Sequence, residues 1–324
     1  MAVTAIADLN TLPNFYNKKW LEKIGPGPAI MEYTTQVPLD KNSGTTIYFP
    51  KMSNRSTMVS AALLTEGVAM TPQKTVDTQI SAVVLGYGDT VSISDLSNMT
   101  ALNGTVQQTV ETLADQAGRV IDRKILEVAY GTSSNPTSLG FSAWTWNTAG
   151  DAALGTSTSS YATYVGVTEH RMKAETLRAA TAKLRALDVP PFDDGMFALI
   201  CHSTTASRLR ADTEWQNAFI YTDATAVRKG ISSAYEGVKV ITDNNVWTSA
   251  NGSASAVLYC SVLLGRGALG TTKLDGGVKF YAKRPGPTTT SDPADQFITL
   301  AWKAHFTAKV LNVSSGLIVV TADA

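Results

Sequence analysis

The stretch NGTVQQTVETLADQAGRVIDRKILEVAY, residues 103–130, decides how the rest of the chain is read. Its apolar residues Val106, Val110, Leu113, Ala117, Val120, Ile121, Leu126 and Val128 recur mostly three or four positions apart. That spacing draws one stripe along a helix and leaves Gln107, Glu111, Asp115, Arg119 and Asp122 largely off it. Thr105 followed by Gln108 has the form of a capping box, and Gly131 stands where a C-terminal cap belongs. At 1.5 Å per residue the rod is roughly 35–40 Å long. It is the longest clean helix in a chain that otherwise reads as rich in strands, so the fold is expected to lie along it.

Upstream, residues 1–40 read as an arm. Pro13, Pro26, Pro28 and Pro38, with the turn GPGP at 25–28, fix or free the backbone in ways that favour an extended run. Phe15, Tyr16, Trp20 and Tyr33 are its candidate anchors to a surface, its own or a neighbour's. TTIYFP at 45–50 and TQISAVVL at 78–85 read as strands, with a long polar excursion at 51–75 between them. Connections of that length are uncommon unless they are functional, so an extended hairpin-like loop is expected. GYG at 86–88 reads as a break before DTVSISDL resumes the strand pattern.

Downstream, 131–166 is rich in Ser, Thr, Gly and Asn and reads as loop and short strand. A second helix is expected over 169–187, with Leu177, Ala180, Leu184 and Leu187 as its stripe and Pro190-Pro191 as its stop. MFALICH at 196–202 reads as a buried strand, and Ser203 as the cap of a third helix carrying Leu209 and Trp215. Strands follow at 237–241 and 256–264, so 168–264 alternates as a compact α/β subdomain. From Ile298 to Val310 apolar residues occupy every second position, opposite Lys303, His305, Thr307 and Lys309. Period two over that length predicts one long strand with one buried face, and LIVV at 317–320 is expected to return as its partner.

The 324 residues carry 27 Lys+Arg and 27 Asp+Glu, so the formal net charge is zero. Duplex binding as the primary task usually comes with a basic excess and is disfavoured. Charged residues are only 17%, which suits a chain that covers much of its surface with partners. The two cysteines, Cys201 and Cys260, read as buried thiols, with a disulfide left open. The first residues, MAVTAIADLN, lack the basic head and apolar core of a signal peptide, and the longest apolar run is too short to span a bilayer. A soluble, cytoplasmic chain is expected.

Chemistry-bearing patterns are few. GRGALG at 265–270 matches a dinucleotide-binding pattern, but its mechanism requires a helix to open there, and TTKLDGG follows instead. A tight structural turn is the expected reading. His170, His202 and His305 stand far apart with no zinc-like spacing, and Asp193-Asp194-Gly195 reads as a turn. Arg208 and Arg210 read as a solvated helix face. No catalytic residue, metal ligand or cofactor is expected.

Several ordered segments resemble the major capsid proteins of tailed phages, and most closely the coat proteins of N-four-type phages. They are LLTEGVAMTP (63–72), GYGDTVSISD (86–95), LADQAGRVIDRKIL (113–126), FALICHSTTASRLRADTEWQNA (197–218), GRGALG (265–270) and DPADQFITLAWKAHFTAKVLN (292–312). The resemblance implies an α+β Hong Kong 97-type capsid fold for the 324 residues. On it, 1–40 is the N-terminal arm and 41–78 the extended loop. Residues 79–167 form the peripheral domain with spine helix 104–130, 168–275 the axial domain, and 276–324 the return to the peripheral domain. It also implies a shell built from pentamers and hexamers around double-stranded DNA, in a virion made in the host bacterial cytoplasm. Scaffolding, portal and decoration proteins are its implied further partners, and a membrane is not. Phe15, Tyr16, Trp20, Leu64, Glu66, Arg208 and Arg210 are the candidate assembly contacts. The other readings are a decoration or tube subunit of a phage, and a nucleotide-binding enzyme using GRGALG.

Overall fold

The computed structural model describes residues 29–40, 43–52, 66–67, 77–100, 105–131, 141–147, 150–153, 171–222, 234–249, 257–283 and 296–323. The strands of the first half are β1 Thr35–Leu39, β2 Thr46–Met52, β3 Asp77–Val83, β4 Leu85–Ser94, β5 Ser142–Asn147 and β6 Gly150–Ala153. The second half adds β7 Phe197–Cys201, β8 Ala234–Tyr235, β9 Val238–Thr242, β10 Thr248–Ser249, β11 Val257–Leu264, β12 Leu269–Lys283, β13 Phe297–Val310 and β14 Gly316–Asp323. The helices are α1 Asp95–Thr100, α2 Thr105–Tyr130, α3 Ala174–Ala186, α4 Ser203–Arg210 and α5 Thr213–Thr222.

The opening stretch is α2, and its stripe is buried as Val110, Leu113, Ala114, Ala117, Ile121, Ile125, Leu126, Ala129 and Tyr130. Val106, Val120 and Val128 flank it, partly buried. Gly131 closes the helix at φ +87°, a conformation that disfavours a side chain, and its N–H bonds the carbonyls of Glu127 and Val128. Thr105 is itself helical, so it is not the N-cap that the capping-box reading needs. Asp122, placed off the stripe by its charge, is only 2% exposed.

A four-stranded sheet, in the order β1-β12-β13-β4, lies against α2. On β13 the alternation holds through Phe306, with Leu300, Trp302, Ala304 and Phe306 buried and Lys303 exposed; Thr307, expected on the open face, is buried instead, while Lys309 is exposed. GYG does not break the strand; β4 runs through it, paired with β13 from Leu85 to Ser94. The glycines are there because β13 comes close. A Cβ on Gly88 would stand 2.6 Å from the Trp302 carbonyl oxygen, and one on Gly86 3.2 Å from the His305 ring.

The larger sheet has eight strands, with the path β6-β5-β14-β11-β7-β9-β8 and β10 beside β11. It is covered on both faces. Ala198, Ile200, Leu258, Cys260, Val262, Ile318 and Val320 face the core that contains the α2 stripe. Phe197, Leu199, Cys201, Val240, Leu263, Leu317 and Val319 face a second core closed by Leu177, Leu184, Leu209 and Trp215 of α3–α5. Two-sided burial explains why these strands read as continuous apolar runs.

LIVV is therefore not the partner of the long strand. β14 pairs antiparallel with β11 and parallel with β5, in the larger sheet. Residues 316–323 thus lie in the larger sheet, because a run buried on both faces belongs at the centre of a covered sheet. β5 and β6 join the larger sheet too, although they fall within 79–167. β12 joins the smaller sheet although its first half falls within 168–275.

The helices after α2 are shorter than expected. α3 begins at Ala174, and Leu187 is 53% exposed beyond its end. The expected third helix is two, broken between Arg210 and Thr213, so Leu209 and Trp215 enter the core from separate helices. Its cap is His202, not Ser203: the His202 ring accepts from the Thr204 N–H at 3.2 Å.

Candidate functional site

The most distinctive feature is the hairpin of β2 and β3. The strands pair antiparallel from Thr46↔Val83 to Met52↔Asp77, as the paired strand readings predict. Period two divides its faces: Ile47, Phe49 and Ala82 are buried in a small separate core with Val37, Ile80 and Leu311, whereas Tyr48 is 58% and Val83 53% exposed. Phe49 packs so near β12 that a Cβ on Gly270 would meet its ring at 3.0 Å. Lys51 Nζ also donates to Leu311 O and to Asn312 Oδ1, so the hairpin root is fastened to the end of β13. Between the strands, Glu66 and Gly67 form an exposed turn with Gly67 at φ +78°.

Residues of the expected arm are joined to the body. Ala29–Tyr33 is a single 3-10 turn with Ile30 fully buried beside α2. Tyr33 packs edge-on against Phe192, and β1 then runs parallel to β12. Its apolar residues follow no sustained period, so the sequence gave no sign that it packs.

Exposed apolar side chains gather in two places. Leu96 (68%) and Met99 (80%) project from α1, which begins where Asp95 N–H bonds Gln296 O beside the exposed Phe297. Tyr48, Val83 and Leu85 lie on the hairpin and just after it. On the smaller sheet, the face away from α2 is an open groove with Tyr281, Lys283, Thr299, Lys303 and His305 across its strands.

On the larger sheet, Arg178 of α3 pairs with Glu214 of α5 and with Glu236 in the turn before β9, at 3.5 Å for the latter. All three are nearly half exposed, so the pairs fix orientation more than they stabilise. Arg208 and Arg210 sit, partly buried, in the last turn of α4. The structure therefore places Glu66 and these arginines on separate parts of the chain. Phe15, Tyr16, Trp20 and Leu64 lie outside the described residues, as does His170.

GRGALG is a turn followed by a strand. Gly267 has φ +71°, β12 starts at Leu269, and a Cβ on Gly265 would fall 2.3 Å from Val189 Cγ1. No helix presents its N-terminus there, and the glycines answer to packing. Asp193 pairs with Arg266, while Asp194 accepts from Met196 N–H, as a turn-former does. Among the described residues, no three His, Cys, Asp or Glu side chains gather as metal ligands, and no helix is long and apolar enough to cross a membrane.

A buried polar knot was missed by sequence reasoning. Asp122 Oδ1 accepts from the Ile30 N–H at 3.4 Å, and its Oδ2 from the Asn245 side-chain amide at 3.0 Å. Asp243 Oδ1 accepts from the Asn245 N–H at 2.9 Å, while its Oδ2 is buried without a partner. Burial, then the neighbouring Asp243, pushes the Asp122 carboxyl up to about 7. The signal was available: Asp122 stands three, four and seven residues before the apolar Ile125, Leu126 and Ala129, on the buried side of the wheel.

The chain matches the family model for phage capsid protein over residues 77–317 and belongs to that family. No curated protein matches the sequence. Among solved structures, it is similar to the capsid protein of Cyanophage Pam1, with 13% identity, 89% of each chain covered and a TM-score of 0.66. It is similar to that of Cyanophage P-SCSP1u at 15% identity, covering 90% of this chain and 87% of that one, with a TM-score of 0.61. The capsid of Ralstonia phage GP4 aligns over 100% and 98% of the two chains, at 14% identity and a TM-score of 0.61. The fold is the α+β Hong Kong 97-type capsid fold, and the chain is a phage major capsid protein, a structural subunit of the virion.

Proposed function

We propose that this subunit closes into pentamers and hexamers of an icosahedral shell around the packaged double-stranded DNA of a tailed phage. In this reading 1–40 is the arm and 41–78 the extended loop. The smaller sheet with α2 is the peripheral part. The larger sheet with α3–α5 is the axial part, which meets its copies around the ring centres.

The hairpin of β2 and β3 carries the reading. Its root is packed on its own subunit, yet Tyr48 and Val83 turn outward where a monomer gains nothing from them. Leu96, Met99 and Phe297 are the second contact, at the end of the smaller sheet. Many modest contacts repeated around closed rings suffice for a stable shell. Glu66 at the loop turn, Leu64 beside it, the arm aromatics Phe15, Tyr16 and Trp20, and Arg208 and Arg210 on α4 complete the assembly contacts. DNA is touched without sequence specificity. Scaffolding, portal and decoration proteins are further partners, synthesis is in the bacterial cytoplasm, and the chain catalyses nothing.

Deletion of 1–28 or of 53–74 tests this. The expected outcome is soluble, folded subunits that form no shells under the electron microscope. Shells assembled by both variants would overturn it.

A further inference from the structure

We propose that Asp122 is held protonated and donates to Asp243 Oδ2, and that this proton ties the turn after β9 to the middle of α2. Asp122 is 2% exposed, and both its oxygens already accept hydrogen bonds, from Ile30 and Asn245. Asp243 offers one oxygen to the Asn245 N–H and keeps the other buried without a donor. An ionised carboxylate accepts only; a proton on Asp122 supplies the donor that Asp243 Oδ2 lacks.

The surrounding groups do not neutralise the pair. Arg123 of α2 donates to Asn245 O and pairs with Glu127 at 3.6 Å. Tyr130 is held by the Cys260 carbonyl and the Trp247 N–H. On the 29–33 turn Glu32 is exposed, and Tyr33 packs on Phe192 beneath the Lys239 ammonium. The buried charge of Asp122 would therefore face that of the partly buried Asp243 if the proton left.

The direction of the effect follows. The native Asp122 carboxyl stands at about 7 against 3.8 when unfolded. Within that window the native state binds a proton that the unfolded state does not, so stability falls as pH rises, and levels off above it. The lock is closed on the acid side and strained on the alkaline side. Ile30, at the root of the proposed arm, donates to the same carboxyl, so the protonation of Asp122 bears on how the arm leaves the body. That consequence rests on the arm reading; the lock itself does not.

The test uses the full-length, dissociated subunit. In wild type, the infrared carbonyl band of a protonated carboxylic acid is expected at pH 5.5 and is lost by pH 8.5, and the melting temperature falls over the same range. In D122N the band is absent, the pH slope is reduced, and the melting temperature at pH 8.5 exceeds that of wild type. D243N, which removes the other charge but leaves Asp122 buried, is expected to reduce the pH slope in part and to shift the loss of the band to lower pH, and it covers a failure of D122N to fold. A wild type with no such band, or D122N and D243N with the wild-type pH slope, would overturn the proposal. So would a cation held by the pair, seen as calcium raising the melting temperature of wild type but not of D122N at pH 8.5. None of these readouts needs shells to form, so they fail separately from the assembly reading.

Discussion

Replacing Tyr130 by Phe probes whether the far end of α2 is bolted to the larger sheet. Tyr130 is 1% exposed; its hydroxyl donates to Cys260 O at 2.8 Å and accepts from the Trp247 N–H at 3.2 Å. Phe keeps the ring and its packing but removes the oxygen. Two buried backbone groups then lose a partner, each at about 1–3 kcal/mol, so about 2–4 kcal/mol in total after some relaxation. With a urea m-value of about 3 kcal/mol/M, at the top of the range for small proteins, the midpoint falls by about 1 M. The assay is urea unfolding of the dissociated subunit, followed by the fluorescence of its six tryptophans. An unchanged slope makes the shift a stability change. Tyr48→Phe is the control, since that hydroxyl sits on a side chain 58% exposed. A Tyr130→Phe midpoint within about 0.2 M of wild type would refute the bolt, because it would mean less than about 1 kcal/mol at stake.

Two glycines should answer oppositely to alanine. Gly88→Ala drives a Cβ to 2.6 Å from the Trp302 carbonyl, so β4 must shift off β13, with a loss of about 1–3 kcal/mol by chemical denaturation. Gly118→Ala meets nothing within 4 Å inside α2 and is expected to gain about 0.5–1 kcal/mol. Burial pushes the Cys201 thiol up to about 12 and the Cys260 thiol higher still. Neither is a thiolate at pH 8, so folded subunits should resist iodoacetamide while urea-unfolded ones take up two labels by mass spectrometry. Native labelling at the unfolded rate would contradict their burial.

What the sequence by itself determined is whatever a local period encodes. The stripe of α2, the alternation of β13 and the paired strands β2 and β3 were legible because 3.6- and 2-residue periods tell which side of an element is buried. The turn at GRGALG was legible from the residues after it, which do not form a helix. Only tertiary structure decided which partner each buried face meets. LIVV carries no mark that chooses β11 and β5 over β13; two-sided burial makes it apolar throughout, and that erases the period. GYG read as a break because glycine lowers strand propensity, yet the approach of β13 to Gly88 requires it there. Asp122 read as solvent-facing because charge usually is, and its place on α2 makes sense only once Ile30 and Asn245 arrive from 92 and 123 residues away. The helix fixes the stripe locally; what covers the stripe is set by contacts between residues far apart in the chain.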